Sequence, residues 1–201
     1  MYHAMILEDC LDLLNICQDR LGLPSPKIVE RLRSGARHMA EFLIGMTHPD
    51  GQVALFNDAA FGIEAPPPDL LAYYENVTGG TAPALDGDAV QFPSAGYFII
   101  SPSPLNKMII DCGPIGPPYQ TGHSHCDTLS FELSLKGRRV VVDSGCFGYE
   151  AGAMRDYNRG NAGHNTVTID GKNQSEVWKS HRCARRAQPL YATLSKGSGG
   201  K

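Results

Sequence analysis

Two histidines and an aspartate occupy alternate positions in the segment GHSHCD, at His123, His125 and Asp127. Imidazole nitrogens and carboxylate oxygens are the groups that bind zinc and similar divalent ions. If the segment is extended, successive side chains alternate, and all three of these lie on one side. Asp143 ends a later strand-like segment and His164 begins another. The spacing therefore predicts a metal site at one end of a sheet.

Each of these residues also has an ordinary structural interpretation. Asp127 can cap a turn, and His123 can be a hydrogen-bonded surface histidine. His38 and His48 have no ligand-type neighbours in the sequence, which favours structural roles for both. Tyr149 is expected to be a packed aromatic residue. Spacing alone therefore leaves a metal site and purely structural polar residues as alternatives.

Two known metal-binding patterns share part of this spacing. The HxHxDH motif of the metallo-β-lactamase fold has histidine at its sixth position, where this chain has Thr128. Two-metal amidohydrolases carry an HxH motif at the end of the first strand of a βα barrel. Both folds alternate strands with helices around the motif. This sequence shows no such alternation, so neither fold is favoured.

Two amphipathic helices precede the histidine-rich segment. Residues 4–21 carry apolar side chains at intervals of three and four, which predicts a helix with one buried face. A second helix is predicted after Ser25 as N-cap, with Pro26 as its first residue, and runs to about Gly45. The short turn between them predicts an αα-hairpin, and residues 66–71 favour the start of a short third helix.

The character of the sequence changes after about residue 76, where a linker rich in turn-forming residues leads into strand-like segments. Strands are predicted over residues 95–101, 107–113, 129–135, 138–145 and 164–171. In the third strand, phenylalanine and leucine alternate with serine and glutamate, so we expect its apolar face to be buried. Lys136 and Gly137 supply a two-residue hairpin turn. The second half is therefore predicted to be mostly antiparallel β-structure.

Composition excludes several classes of function. The net charge is −3 and no basic block occurs, so no nucleic-acid-binding surface is predicted. No apolar run approaches the roughly 18 residues of a membrane span. The six cysteines form no CxxC pair, which disfavours a cysteine zinc site. The N-terminal segment MYHAMILEDC lacks the basic and apolar regions of a signal peptide.

Several sequence blocks, in the expected order, resemble the heparinase II/III-like polysaccharide lyases, a group that includes alginate lyases. The blocks are GHSHCDTLSFELSLKGRRVVVDSGCFGYE and MRDYNRGNAGHNTVTIDGKNQSEVW, preceded by AGYFII and by NDAA near residue 57. The resemblance implies an α+β fold. Residues 1–78 would be the C-terminal helices of an α/α toroid, and residues 79–201 the N-terminal portion of an antiparallel β-sandwich domain, which is expected to be incomplete.

The resemblance also implies a set of site residues. A structural zinc ion in the β domain would be bound by His125, Asp143 and His164 and would hold the wall of the cleft. His123 would line that catalytic cleft. Tyr2, in the helix YHAMILEDCLDL, falls at the position of the family's catalytic tyrosine.

The reaction implied is β-elimination on uronic-acid polysaccharides, so the expected partner is an acidic polysaccharide or oligosaccharide. A base removes the C5 proton, an acid protonates the leaving oxygen, and donors stabilise the charge that develops on the carboxylate. We expect Tyr2 and His123 to be catalytic. Arg155, Tyr157 and Arg159 are expected to contact sugar carboxylates or sulfates, because arginine suits bidentate recognition of such groups.

Two functions from other classes stay open as alternatives. One is a non-catalytic carbohydrate-binding β module, and the other is a metal-dependent hydrolase that uses the HxHxD residues as ligands. The family also supplies an Asn-His or His-Glu pair from a helix upstream of Tyr2, which this sequence does not contain. We therefore expect a fragment with little activity of its own. By resemblance, the full-length protein is predicted to be periplasmic or secreted.

Overall fold

The computed structural model describes residues 1–18 and 24–195, and it begins with three helices. These are α1 (Tyr2–Gln18), α2 (Pro26–Met46) and α3 (Pro67–Thr78). The predicted helical hairpin is confirmed, with Pro26 as the first residue of its second helix. The predicted end of the first helix, residues 19–21, lies outside the described residues. Within the described ranges, no helix is long and apolar enough to cross a bilayer.

The three helices share one apolar core. Leu7, Leu11 and Leu14 of α1 are fully buried at the intervals of three and four that the sequence pattern predicts. They belong to a cluster that includes Leu43 of α2 and Leu70 of α3. Fully burying a leucine side chain contributes roughly 1.5–3 kcal/mol. This cluster therefore holds α1, and the tyrosine at its N-terminal end, in a fixed position.

A five-stranded antiparallel sheet follows the helices. Its strands are β1 (Ala89–Phe92), β2 (Tyr97–Ser103), β3 (Asn106–Asp111), β4 (Phe131–Leu135) and β5 (Arg138–Val141), in that spatial order. Lys136 and Gly137 have φ values of 52° and 79°, as a tight two-residue hairpin turn requires, so the predicted hairpin is confirmed. β1 begins at the end of the predicted linker, and its strand was not predicted from the sequence. The fold is α+β, with helices followed by antiparallel strands.

Strand β4 buries the face opposite to the one predicted from its sequence. Glu132 and Ser134 are fully buried, whereas Leu135 is exposed. The Glu132 carboxylate accepts hydrogen bonds from the backbone N–H of Leu55 and from the Arg139 guanidinium, both at 2.8 Å. Burying a charge is costly unless it is paired and hydrogen-bonded. Because these partners satisfy the carboxylate, the polar face of β4 can pack against the rest of the molecule.

The connection between α2 and α3, residues 47–66, is held on this polar face by a buried network. His48 lies 2.7 Å from the Ser134 hydroxyl through Nδ1 and 3.0 Å from the Glu132 carboxylate through Nε2. Arg139 donates to two backbone carbonyls of the connection, at 2.9 and 2.8 Å. The network fixes the path of the connection, which carries a buried aspartate to the site described below.

The chain after β5 forms loops, one short helix and a hairpin. Helix α4 spans Ala153–Arg159, a 3-10 turn spans Asn161–Gly163, and strands β6 (Glu176–Trp178) and β7 (Arg182–Ala184) pair with each other. The prediction of a strand over residues 164–171 is wrong. Its polar groups bond to loops instead: the Asn165 N–H donates to the Ser130 hydroxyl at 3.1 Å, and the Thr166 hydroxyl donates to the Thr128 carbonyl at 2.6 Å.

Candidate active site and metal site

The loop between β3 and β4 carries the histidine-rich segment and is anchored along its length. At its end, the Leu129 N–H donates to the Asp111 carbonyl at 2.8 Å. In its middle, the Cys126 N–H donates to the Arg159 carbonyl at 2.9 Å, and Nε of Arg159 donates to the Ser124 carbonyl at 3.0 Å. The histidine-rich segment is irregular and not a strand. These backbone bonds nevertheless fix where its side chains lie.

His125, Asp127 and His164 form a buried group in which one potential ligand atom from each lies within 4.8 Å of the others. In the described part of the chain, Nδ1 of His125 and Nε2 of His164 are buried without a hydrogen-bond partner. Buried polar atoms are nearly always paired in folded proteins. Two unpartnered imidazole nitrogens beside a carboxylate therefore fit a bound cation, and this donor set is one that zinc accepts.

The second nitrogen of each imidazole contacts a further carboxylate. Nε2 of His125 lies 2.7 Å from Asp58, and Nδ1 of His164 lies 2.8 Å from Asp143. Metal-binding histidines usually donate their second nitrogen to such an outer group, which fixes the orientation of the ring. Asp143, predicted to be a ligand, is thus placed against His164. Asp127, for which the sequence left a turn cap as the alternative, completes the three-residue group.

The ionisation of these groups suits a divalent cation. Burial raises the pKa of Asp127, and burial together with the charge of Asp127 raises the pKa of Asp111 to about 8. Burial lowers the pKa of His125, which favours the neutral imidazole that binds metal. Burial acts in the same direction on His164, but the hydrogen bond to Asp143 and the negative charges of Asp143 and Asp127 together outweigh it and raise the pKa of His164. A cation here would offset the cost of burying several carboxylates together.

Four aromatic side chains, which we call the aromatic cleft, meet where the start of α1 approaches the histidine-rich loop. They are Tyr2, His123, Tyr149 and His181. The hydroxyls of Tyr2 and Tyr149 lie 2.6 Å apart, and the ring centres of Tyr2 and His123 lie 5.2 Å apart. His181 lies between β6 and β7, with its ring centre 6.0 Å from that of His123. The structure thus brings together the two residues predicted to be catalytic, Tyr2 and His123.

Asp58 joins the metal group to the aromatic cleft. Its buried carboxylate lies 2.7 Å from Nδ1 of His123 and accepts a hydrogen bond at 3.2 Å from Nη2 of Arg155. Burial alone would raise its pKa, but hydrogen bonds from His125 and Arg155 hold the pKa of Asp58 well below its ordinary value. An ionised carboxylate at Nδ1 selects the imidazole tautomer with its hydrogen on Nδ1. Nε2 of His123 is then the nitrogen that can exchange a proton with a substrate.

Tyr149 has a polar role beyond the packing expected of it. Burial and the hydrogen bond with Tyr2 both raise the pKa of Tyr149, so its hydroxyl stays protonated at neutral pH. A protonated Tyr149 can donate to the oxygen of Tyr2 across their 2.6 Å contact. The Arg155 guanidinium lies 5.1 Å from the centre of the Tyr149 ring, within the range of a cation–π contact. The Arg155 guanidinium, paired with the Asp58 carboxylate, thus lies beside the Tyr149 ring.

Comparison with known protein families identifies the family to which this chain belongs. The family model described as "Heparinase II/III-like, C-terminal" matches residues 84–199. The chain belongs to the heparinase II/III-like family. A search of curated protein sequences found no significant match.

Solved structures of similar fold include two heparinase III proteins and one heparan sulfate lyase. A heparinase III gene product is 22% identical, with a TM-score of 0.68, and the match covers 90% of this chain and 31% of that one. The heparan sulfate lyase HepC from Pedobacter heparinus is 21% identical, with a TM-score of 0.64 and coverages of 86% and 29%. A second heparinase III is 24% identical, with a TM-score of 0.66 and coverages of 90% and 32%. The likeness shows the fold, and this chain spans about a third of the length of each relative.

In this heparinase II/III-like chain, the three predicted substrate-binding residues lie in different environments. Arg155 and Arg159 are each 1% exposed, whereas the Tyr157 side chain is exposed. Nε of Arg155 donates to the Ser180 carbonyl at 3.0 Å, and Nη1 of Arg159 donates to the Lys179 carbonyl at 3.2 Å. Both guanidinium groups therefore tie α4 to the β6–β7 hairpin. The prediction that they contact a sugar gains no support from this placement.

Asp58 and His181 are site residues that sequence reasoning missed. Asp58 was noted only within the NDAA block, and His181 stands in no recognisable motif. Asp58 is 65 positions from His123 and 97 positions from Arg155 along the chain. No local spacing can report contacts over such separations. Only the general rule that a buried acid needs partners could have drawn attention to this aspartate, and its burial is not readable from the sequence.

Proposed function

We propose that this heparinase II/III-like chain is part of a polysaccharide lyase that cleaves uronic-acid-containing glycans by β-elimination. The observation that carries the proposal is the 2.6 Å contact between the Tyr2 and Tyr149 hydroxyls beside His123. Elimination needs one group to remove a proton and another to deliver one. The aromatic cleft offers both kinds of group at one exposed point, and one of the solved relatives is named as a heparan sulfate lyase.

The two proton transfers fit the local chemistry of the cleft. An unperturbed tyrosine has a pKa of about 10, so Tyr2 needs help to act as a base. The protonated hydroxyl of Tyr149 can donate to the Tyr2 oxygen and so stabilise negative charge on it. His123, oriented by Asp58, offers Nε2 as the second proton-exchanging atom. Each such group typically contributes a rate factor of about 10² to 10⁴.

We propose that zinc binds at His125, Asp127 and His164, with a structural role. When bound, the ion would supply positive charge that neutralises the buried carboxylates and fixes the loop carrying His123. His125 and Asp127 are fully buried and His164 is nearly so. A zinc ion that activates water keeps an open coordination position. The burial of all three residues therefore disfavours the metal-dependent hydrolase.

The test is an elimination assay on the complete gene product, because this chain spans about a third of its solved relatives. The protein is incubated with uronic-acid polymers, and the ultraviolet absorbance of the unsaturated uronate product is followed. We expect the absorbance to rise, and Tyr2→Phe to lower the rate about 10² to 10⁴-fold, as for loss of an acid–base group. Tyr191→Phe, at an exposed tyrosine, is the matched control and should leave the rate unchanged.

Three outcomes of this assay would contradict the proposal. Chain cleavage without the unsaturated product would indicate a hydrolase. Tight binding without any cleavage would indicate a carbohydrate-binding module. A full rate in Tyr2→Phe would remove Tyr2 from the mechanism even if elimination occurs.

A further inference from the structure

A cavity of about 730 Å³ is lined by His123 but by no other residue of the aromatic cleft. It lies between the first part of the histidine-rich loop, the turn between β1 and β2, and the segment 186–189. Cavities of roughly 300–1,000 Å³ are typical of small-ligand sites. The volume is therefore adequate for a sugar unit, and the position would place that unit next to a group that exchanges protons.

The charge on the described part of the cavity wall is positive. Among the described residues that line it, Arg186 is the only arginine or lysine, and none is aspartate or glutamate. Among the described residues, Arg186 takes part in no ion pair. Its environment thus differs from that of Arg155, whose charge is matched by Asp58. A guanidinium without an internal partner is suited to bind a planar carboxylate or a sulfate.

The rest of the lining suits a sugar. Asn57, Gln120 and Gln188 add amide groups, and four prolines together with Ile115 and Tyr97 supply apolar surface. Hydroxyl-bearing and apolar ring faces of a sugar would both find partners here.

We infer that this cavity is a subsite for an acidic sugar residue, in which Arg186 binds the carboxylate or sulfate and the amides of Asn57 and Gln120 bond to hydroxyls. The inference rests on the proposed lyase function and extends it. It assigns the recognition of negative charge to Arg186, in place of the buried Arg155 and Arg159. The sugar bound here would neighbour the residue that reacts at His123.

The experiment measures binding of tetrasaccharides to the 201-residue chain by titration calorimetry. The probes are an unsulfated glucuronate–N-acetylglucosamine tetrasaccharide, a sulfated heparan sulfate tetrasaccharide and the neutral cellotetraose. We expect Arg186→Gln to weaken binding of the acidic probes roughly ten-fold or more, the range for loss of a charge-assisted hydrogen bond. Weakening confined to the sulfated probe assigns Arg186 to sulfate, and weakening of both probes assigns it to the uronate carboxylate.

Arg185→Gln is the matched control. It removes the same charge one residue away, where the exposed side chain pairs with Glu176 outside the cavity. We expect it to change affinity by less than about two-fold, since exposed charges act weakly at this range.

The inference is overturned if Arg186→Gln binds the acidic probes as tightly as the unmodified chain, or if Arg185→Gln weakens them equally. It is also overturned if the unmodified chain prefers cellotetraose or binds none of the probes. These results are separable from failure of the lyase proposal, which is decided by the unsaturated product and by Tyr2→Phe. If elimination occurs but Arg186→Gln does not change the affinity for the acidic probes, the subsite inference is refuted and the lyase proposal stands.

Discussion

Replacing Asp58 by asparagine should destabilise this protein more than any exposed acid-to-amide change. The Asp58 carboxylate lies 2.7 Å from a nitrogen of His123 and 2.7 Å from a nitrogen of His125, and it pairs with the Arg155 guanidinium. Asparagine keeps one acceptor oxygen where aspartate has two, and it carries no charge. Arg155, which is 1% exposed, would lose its counter-charge. The variant therefore leaves a buried cation uncompensated.

The magnitude follows from that buried charge. Removing one partner of a buried ion pair costs about 3–5 kcal/mol. Domains are typically stable by only about 5–15 kcal/mol, so this loss would bring the protein close to unfolding at room temperature. The double variant Asp58→Asn/Arg155→Met removes both charges. It should be more stable than Asp58→Asn alone, because replacing both members of a buried ion pair costs much less than removing one of them.

The assay is urea unfolding in metal-free buffer, so that metal binding does not add to the measured free energy of unfolding. Asp86→Asn, at an exposed turn position, is the control, and it should change that free energy by less than about 0.5 kcal/mol. A loss below about 1 kcal/mol in Asp58→Asn would refute the reasoning, because surface charge pairs are worth that little. A double variant no more stable than Asp58→Asn would show that Arg155 is not the group left uncompensated.

Three further predictions follow from other parts of the structure. His164→Ala should remove most bound zinc, as measured by elemental analysis, because it deletes one imidazole of the metal group. His38→Ala, on the exposed face of α2, is the control and should leave the zinc content unchanged. Gly45→Ala should lower the free energy of unfolding by about 1–3 kcal/mol, since the new Cβ would lie 2.6 Å from a phenylalanine ring of β1. Gly35→Ala in the same helix meets nothing within 4 Å and should raise stability by up to about 1 kcal/mol. Burial lowers the pKa of Lys107 from 10.5 to about 8, so between these pH values the unfolded chain holds the proton more tightly. The contribution of Lys107 to the free energy of unfolding should then rise with pH by about 3 kcal/mol in total, measured by urea unfolding as the difference between the unmodified chain and Lys107→Met.

Each of these predictions has an outcome that would contradict it. Unchanged zinc content in His164→Ala would show that His164 is not a ligand. Separately, the zinc contents of Asp127→Asn and Asp143→Asn decide which aspartate is a ligand. Equal effects of the two glycine variants would mean that α2 and β1 do not approach as closely as described. A free energy of unfolding that falls as pH rises from 8 to 10.5, after the Lys107→Met variant is subtracted, would reverse the sign of the lysine effect.

Features that depend on neighbours in sequence were predictable from the sequence. The periodicity of leucine in α1 predicts a helix with one buried face, and Leu7, Leu11 and Leu14 are buried. The Lys136-Gly137 turn was predicted because positive φ at two adjacent positions is a local requirement. His123 and His125 were identified because ligand chemistry depends on residue type. Local geometry and side-chain chemistry are written in short stretches of chain, so they can be inferred without a fold.

Only the tertiary structure decided which polar groups are buried and what they touch. Glu132 is on the buried face of β4 because His48 and Arg139 reach it from other parts of the chain. Asp58 links the metal group to the aromatic cleft because the connection between α2 and α3 lies on that same face. The energy of a buried charge depends on partners that the chain brings from far along its length, and no pattern within a few residues encodes them.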